Sequence, residues 1–374
     1  MLDFHKEMFD FYSDHVNLSA SELENLRNFR DTNIERLNNG LEKLGFPKPV
    51  RVVNQGSYAM NTMTQYDSNE YDIDISIIFN KADLPETPYN ARKRIENAMI
   101  EAGGNFKKPP ECRTNAVTVW YQDGYHVDLA VHRTYTELWG KDVIEHAGVE
   151  WKKRDPMEIT NWFNESVNTN SPKKENGADV PDRQMKRIVQ LIKSYSKSRL
   201  SWNLPGGLII SVLVSETYVP DEGSDERSLR KTLYALNQRL QYSTEVLNPV
   251  DSTQALTYKT EYQNQVKRFQ ENLESALKWL ESIDDSNEDK EIAAKAWSDF
   301  FAHGYWSDLL SSIQGAKSLG ENLRLGTYVK PNGTVTSEKP EGNYVKTRPH
   351  KYWGCLESCV NGISQGPPIL KPNG

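Results

Sequence analysis

Two aspartates stand one residue apart in YDIDISIIF, residues 71–79, and a third, Asp128, stands in YHVDLAVHR, residues 125–133. Apolar residues, many of them β-branched, flank all three, a composition typical of strands and one from which charge is normally excluded. Along a strand, residues i and i+2 share a face. Asp72 and Asp74 therefore project together, while Ile73 and Ile75 point the other way into a core. If the strand of Asp128 neighbours theirs, three carboxylates converge. Such charges repel strongly at low dielectric, so the arrangement calls for a cation among them. Hard oxygen ligands of this kind suit Mg²⁺ or Mn²⁺. Two metal ions bridged by shared carboxylates are the usual apparatus for in-line displacement at phosphorus.

Gly56-Ser57 comes just before the first of these strands. Glycine lets the backbone approach a phosphate closely, and the following N–H and hydroxyl can bind its oxygens. A triphosphate can then lie between this loop and the metals. A Gly-Ser pair or an Asp-x-Asp alone is unspecific. The signal is the ordered set: Gly-Ser, an interval, apolar-Asp-x-Asp-apolar, then an apolar-flanked Asp on a later strand.

The elements that position these residues follow from periodicity. Residues 19–44 read as a long amphipathic helix, with Leu23, Leu26, Ile34, Leu37, Leu41 and Leu44 at helical spacing. Its start is framed by Ser19 and Glu22, or alternatively by Ser21 and Glu24. VRVVNQGSYAM begins as a short strand and turns at Gly56, YDIDISIIF is a strand, and residues 91–103 form a helix ending in Gly-Gly. AVTVWYQDGYHVDLAVHR is two strands about a Gln-Asp-Gly turn. The first 150 or so residues thus predict a small α/β unit with an antiparallel or mixed sheet. Residues 164–182, polar and rich in helix breakers, read as a connection between lobes. Helices dominate from Arg183, and GGLIISVLVSETY, apolar nearly all round, should be central and buried. After Thr327 the chain turns rich in Gly and Pro and reads as an extended or poorly ordered strap.

The 374 residues carry a net charge of -7, with 26% charged and 37% hydrophobic residues, which suits a globular protein of two or more lobes. The negative balance excludes a broad nucleic-acid surface, which needs clustered Lys and Arg. No apolar run approaches a membrane span, and the acidic start MLDFHKEMFDFYSDH is unlike a signal peptide. Three cysteines are too few for a disulfide framework and point to a reducing cytoplasm.

The set NQGSYAMNTMTQ, YDIDISIIF and HVDLAVHR resembles the polymerase-β-type nucleotidyltransferases, and within them the bacterial CD-NTases, relatives of cyclic GMP-AMP synthase that serve anti-phage CBASS systems. The resemblance covers residues 50–135 and, more loosely, the helical region to about 220. It implies an α+β fold: a polymerase-β-like core with a mixed sheet at 1–165, a helical lobe closing the nucleotide cleft at 166–330, and the tail at 331–374. It implies that Gln55, Gly56 and Ser57 hold a donor triphosphate, and that Asp72 and Asp74 bind two Mg²⁺ or Mn²⁺ ions. Asp128 would bind the catalytic ion and help deprotonate the acceptor ribose hydroxyl. A triphosphate-binding lysine is expected on the first helix of the second lobe. Lys193, in LIKSY, matches the family pattern of apolar-apolar-Lys-x-aromatic better than Lys186 does.

One departure is NLPGGLIISV, with Gly206 and Gly207 where many relatives have a serine, sometimes followed by an aromatic. The implied activity is synthesis of a cyclic dinucleotide from NTPs, ATP and/or GTP, as a second messenger for a separate effector. The rival is NMP transfer to a small molecule, a protein or an RNA end. Some relatives are conjugated through their last residue by a ubiquitin-transfer-like partner, which would make Gly374 the attachment point. His350, Cys355 and Cys359 lack a fourth zinc ligand and read as a packed segment. His126, an even number of residues from Asp128, can approach the site but reads more simply as an exposed strand-end histidine.

Overall fold

The computed structural model describes residues 3–65, 71–173, 182–284 and 289–325, with three two-residue strands beyond. Two compact units divide the chain, Met1–Ser307 and Asp308–Gly374. Among the described residues no helix is long and apolar enough to cross a membrane.

The first unit opens with α1, His5–Phe11, prolonged by one π-helical turn, Tyr12–Val16. The sequence reading assigned no structure to this stretch. Met8 and Phe11 are buried, the latter against Phe301 and Trp306 at ring separations of 4.7 and 5.4 Å. α2, Ala20–Lys43, starts at Ser19, whose hydroxyl accepts from the Glu22 amide while the Glu22 carboxylate accepts from the Ser19 amide. This is the first of the two capping frames.

The sheet follows: β1 Arg51–Asn54, a short helix α3 Gly56–Ala59, β2 Asp72–Asn80, α4 Pro88–Ala102, β3 Phe106–Cys112, β4 Val117–Tyr121, β5 His126–Thr136, β6 Asp142–Ala147 and β7 Trp151–Lys153. The strand order is β1-β2-β5-β4-β3, with β6 paired to the far end of β5 and β7 to β6. The sheet is mixed because β2 and β5 run parallel, while its other pairs are antiparallel. Ile73, Ile75 and Ile77 of β2 and Val127, Leu129 and Val131 of β5 are buried with Leu26, Leu37 and Leu41 of α2 and Ile95 and Met99 of α4. Strand alternation thus turns the isoleucines to the helices and the aspartates to the opposite face.

α5, Glu158–Asn170, with Phe163 and Val167 buried, takes up residues 164–170 of the expected 164–182 connection. Asn, Ser and Thr are weak helix formers, and burial of that apolar edge overrides their preference. Residues 174–181 lie outside the described set. The helical region continues with α6 Gln184–Lys197, α7 Gly207–Thr217, α8 Asp225–Tyr242, the hairpin β8 Leu247–Asn248 and β9 Asp251–Ala255, α9 Thr260–Asp284 and α10 Lys290–Phe301. Seven of the eleven residues of α7 are buried, as its all-round apolar sequence demands. α10 ends at Ala302, which adopts left-handed backbone at φ 49°. Then α11, Gly304–Leu325, begins. In the second unit, β10 Tyr328–Val329 pairs antiparallel with β11 Val335–Thr336 and β12 Val345–Lys346. His350, Cys355, Cys359 and Gly374 lie outside the described residues.

Gly40 stands in the last turn of α2, although alanine has the better intrinsic helix propensity by about 1 kcal/mol. A Cβ there would lie 1.9 Å from the backbone oxygen of Ala98 in α4. The two helices meet backbone to backbone, and no side chain can yield. Gly40→Ala should therefore destabilise the protein by about 1–3 kcal/mol, read as a lower urea midpoint with unchanged m. A raised midpoint would mean that α2 and α4 do not need this close approach.

Candidate active site

The parallel register of β2 and β5 builds the centre of the site. Asp72 is paired with His126, and Asp74 with Asp128. Since i and i+2 share a face, these four side chains occupy the corners of one patch, on the side of the sheet away from α2 and α4. Sequence reasoning anticipated the three aspartates and took His126 for an exposed strand-end residue. Instead, His126 Nε2 lies 3.2 Å from Asp72 Oδ1. Ligand atoms of Asp72, His126 and Asp128 all fall within 4.8 Å of one another. The signal for His126 was its even spacing from Asp128. What the local sequence lacked was the identity of the neighbouring strand.

The carboxylates are held against their electrostatic preference. Asp74 is pushed up to about 8, by burial first and then by Asp72 and Asp128. Asp128 is raised by burial, aided by Asp72 and opposed by the Thr118 hydroxyl on β4. The His126 imidazole is raised by Asp72, against its own burial. Asp128 Oδ1 is buried and accepts no hydrogen bond among the described residues.

The phosphate-loop candidate is pressed onto this patch. The Gln55 amide donates to the Asp74 carbonyl at 2.9 Å, prolonging the β1–β2 pairing by one residue. Gly56 then turns at φ +61° into α3. A Cβ on Gly56 would lie 1.9 Å from Asp74 Oδ2. Glycine is required twice here, once by the left-handed backbone and once by the carboxylate beneath it.

The facing wall comes from α6 and the loop leading to α7. The Arg187 guanidinium holds α6 to α8 through Asp225 at 2.6 Å, a buried pair. The Gln190 amide donates to the Met63 carbonyl at 2.8 Å, and Lys193 Nζ donates to the Thr62 carbonyl. Both bonds stitch α6 to the segment after α3. Lys193 is only 4% exposed, and burial, with Lys197 beside it, lowers its pKa to about 7. A Cβ on Gly207 is 3.0 Å from Lys193 Nζ, so the glycine in place of the family's serine leaves room for the amine. Lys197, one turn further on the same helix face, was missed; its spacing of four from Lys193 was the available sign. Its pKa is lowered to about 8 by burial, partly offset by Asp72. Lys186 lies elsewhere, lining a separate cavity of about 300 Å³ with Asn61 and Arg183.

Between the walls lies a cleft of about 680 Å³ bordered by Gln55, Gly56, Ser57, Asp72, Asp74, Lys193 and Lys197. Trp202 also lines it, with the Arg199 guanidinium 4.5 Å from its ring centroid and Tyr195 edge-on at 5.2 Å. A neighbouring chamber of about 930 Å³ shares Arg154, Asp155, Leu204, Gly206 and Gly207 with the cleft and continues to Tyr258 and Tyr262.

Comparison with known proteins agrees with this geometry. Residues 50–132 match the family described as cyclic GMP-AMP synthase DncV-like, nucleotidyltransferase domain. Similar solved structures include CdnC of Escherichia coli MS115-1 with ATP, at 16% identity and a TM-score of 0.58, covering 80% of this chain and 98% of that one. CdnG of Bradyrhizobium diazoefficiens, a CD-NTase solved with GTP, gives 16% identity, a TM-score of 0.60 and coverages of 83% and 99%. DncV of Vibrio cholerae, a cyclic AMP-GMP synthase solved with the linear intermediate 5′ pppA(3′,5′)pG, gives 14% identity, a TM-score of 0.62 and coverages of 80% and 96%. Residues 50–132 thus match a DncV-like nucleotidyltransferase domain, and the chain shares the fold of the solved CD-NTases.

Proposed function

We propose that the protein condenses two NTPs, ATP and/or GTP, into a cyclic dinucleotide. The observation that carries this is the convergence of Asp72, Asp74 and Asp128 on one sheet face, beneath the Gly56 loop and beside a cleft with two chambers. Two adjoining chambers suit two nucleotides, each volume being of the order known for ligand sites, roughly 300–1,000 Å³. The relatives solved with ATP, with GTP and with a linear dinucleotide support the same substrate class.

The residues fit divalent cations. Three carboxylates share one patch, one buried carboxylate oxygen lacks a protein donor, and repulsion and burial raise Asp74 as expected of ligands without their cation. Asp72, Asp74 and Asp128 would hold two Mg²⁺ or Mn²⁺ ions, which when bound lower the pKa of the attacking hydroxyl and neutralise charge developing at phosphorus. The rest falls to the chain itself. The backbone N–H groups and hydroxyl at Gly56–Ser57 hold the donor triphosphate with Gln55, and Lys193 and Lys197 face its negative charge from α6. Asp128 takes the proton of the acceptor ribose hydroxyl, the ribose oxygen forms a bond to the α-phosphorus, and pyrophosphate leaves. The linear product then rebinds reversed, and the same residues serve a second attack that closes the ring. Trp202, fixed by Arg199 and Tyr195, offers the base a flat face that the glycines at 206 and 207 do not. In the cell such a product would signal to a separate effector in anti-phage defence.

The test is incubation with all four NTPs and Mg²⁺ or Mn²⁺, phosphatase treatment, and mass spectrometry of resistant products. A cyclic dinucleotide mass supports the proposal; an NMP adduct of another acceptor as the sole product overturns it. Asp128→Asn should lower synthesis by on the order of 10³-fold or more with an unchanged unfolding curve, and full activity in this variant sinks the assignment.

Lys193 adds a pH signature. Its pKa lies near 7 in the free protein, and a bound triphosphate favours the charged amine. Binding then takes up a proton above pH 7, so apparent affinity for a non-hydrolysable NTP should fall as pH rises through 7 to 9, by up to about tenfold per unit. Lys193→Met should weaken binding at pH 6 by about tenfold and flatten the profile between pH 7 and 8, leaving the part due to Lys197. Equilibrium titrations that are flat for the unaltered protein would exclude Lys193 from the phosphate site.

A further inference from the structure

We infer that His126 is a nitrogen ligand of the metal centre, and that it biases the centre toward transition-metal divalent ions such as Mn²⁺ over Mg²⁺. The inference rests on the metal reading above and goes beyond it, since the carboxylates alone make an all-oxygen site without such a bias.

Three observations support it. First, the parallel register sets His126 directly beside Asp72, on the face it shares with Asp128 two residues on. The imidazole is therefore fixed by the sheet itself, not by a loop. Second, His126 Nε2 and Asp72 Oδ1 are 3.2 Å apart, and both lie within 4.8 Å of a ligand oxygen of Asp128. Donors placed cis around an octahedral ion at about 2.1–2.2 Å are themselves separated by roughly 3.0–3.1 Å, and trans donors by about 4.2–4.4 Å. The 3.2 Å spacing of His126 and Asp72 is close to that of cis donors, and the 4.8 Å limit to Asp128 asks for only a small side-chain adjustment to share one ion. Third, the patch is short of cationic compensation within the protein. Asp128 Oδ1 is buried without a partner among the described residues, and Asp74 is enclosed beneath the Gly56 loop.

Chemistry then decides which ion benefits. Mg²⁺ demands oxygen ligands in near-ideal octahedral geometry and gives up water reluctantly. Imidazole suits transition-metal ions, whose affinity for nitrogen donors exceeds that of Mg²⁺. Replacing one oxygen or water in the coordination sphere by the His126 nitrogen should therefore strengthen Mn²⁺ binding and leave Mg²⁺ binding little changed.

The rival role is a hydrogen bond from His126 that merely orients Asp72. Pulsed EPR of the full-length protein loaded with Mn²⁺ separates the two. A directly bound imidazole gives a ¹⁴N hyperfine coupling to Mn²⁺, and a histidine that only touches Asp72 does not. The coupling should be present in the unaltered protein and absent from His126→Ala. Free-Mn²⁺ titrations should show Kd for Mn²⁺ rising about 10- to 100-fold in that variant, and Kd for Mg²⁺ from competition changing less than about threefold. His126→Asn, with unfolding curves of all variants, provides a second substitution if the alanine form is unstable. If Mn²⁺ binds and Asp72→Asn or Asp128→Asn abolishes binding, but no ¹⁴N coupling appears, the inference is wrong and the metal reading stands. If the unaltered protein binds no Mn²⁺, both fail together.

Discussion

The parallel pairing of β2 with β5 is the constraint on which the rest of the structure depends. Each strand alone presents a modest alternation of charge and isoleucine or valine. Brought together in register, they set Asp74 opposite Asp128 and Asp72 opposite His126. The same pairing packs Ile73, Ile75, Val127 and Leu129 into one core under α2 and α4. Apolar burial on one face thus holds together like charges on the other. A one-residue slip of β5 would turn its valines outward and Asp128 inward, so the register that builds the site is the one that hydrophobic burial enforces.

The opposite wall answers this negative patch with two amines, Lys193 buried and Lys197 solvent-exposed. Lys193 and Lys197 point into the cleft from adjacent turns of α6, where desolvation makes them reluctant to carry charge. Asp74 and Asp128, with raised pKa values, and Lys193 and Lys197, with lowered ones, belong to opposite walls of this site. Ligand charge of opposite sign in the cleft would favour the charged forms of Asp74, Asp128 and Lys193. A triphosphate with divalent cations would satisfy both walls at once, whereas an uncharged ligand satisfies neither and a purely cationic one only the carboxylates. This complementarity ties the site to phosphate chemistry more firmly than any single residue does.

Local pattern made part of this legible. The shared face of Asp72 and Asp74 follows from strand periodicity, and the capping box at Ser19 and Glu22 from spacing. The need for glycine at 56 was visible as a motif, but its second cause, an Asp74 carboxylate where a Cβ would sit, depends on how a strand and a loop meet. His126 was misjudged because its partner, Asp72, is distant in sequence and the pairing is parallel, a relation no turn announces. α5 was hidden by an Asn-rich surface around only two buried apolar residues, Phe163 and Val167, and the buried Thr160. α1 is hidden because Phe11 is buried against Phe301 and Trp306, nearly 300 residues away in sequence. What the sequence withheld was in each case a tertiary neighbour.

The glycine pair at 206 and 207 shows how one substitution can be absorbed by the wall around it. A serine hydroxyl at 207 would start from a Cβ only 3.0 Å from Lys193 Cε and Nζ, so serine and lysine would have to share that space. With glycine, Lys193 instead settles on the Thr62 carbonyl, bonded to the segment that follows the Gly56 loop. The amine therefore belongs mechanically to the phosphate loop as well as to α6. Any movement of that loop on taking up a triphosphate pulls on Lys193, and through Gln190 and Met63 on the helix that carries it.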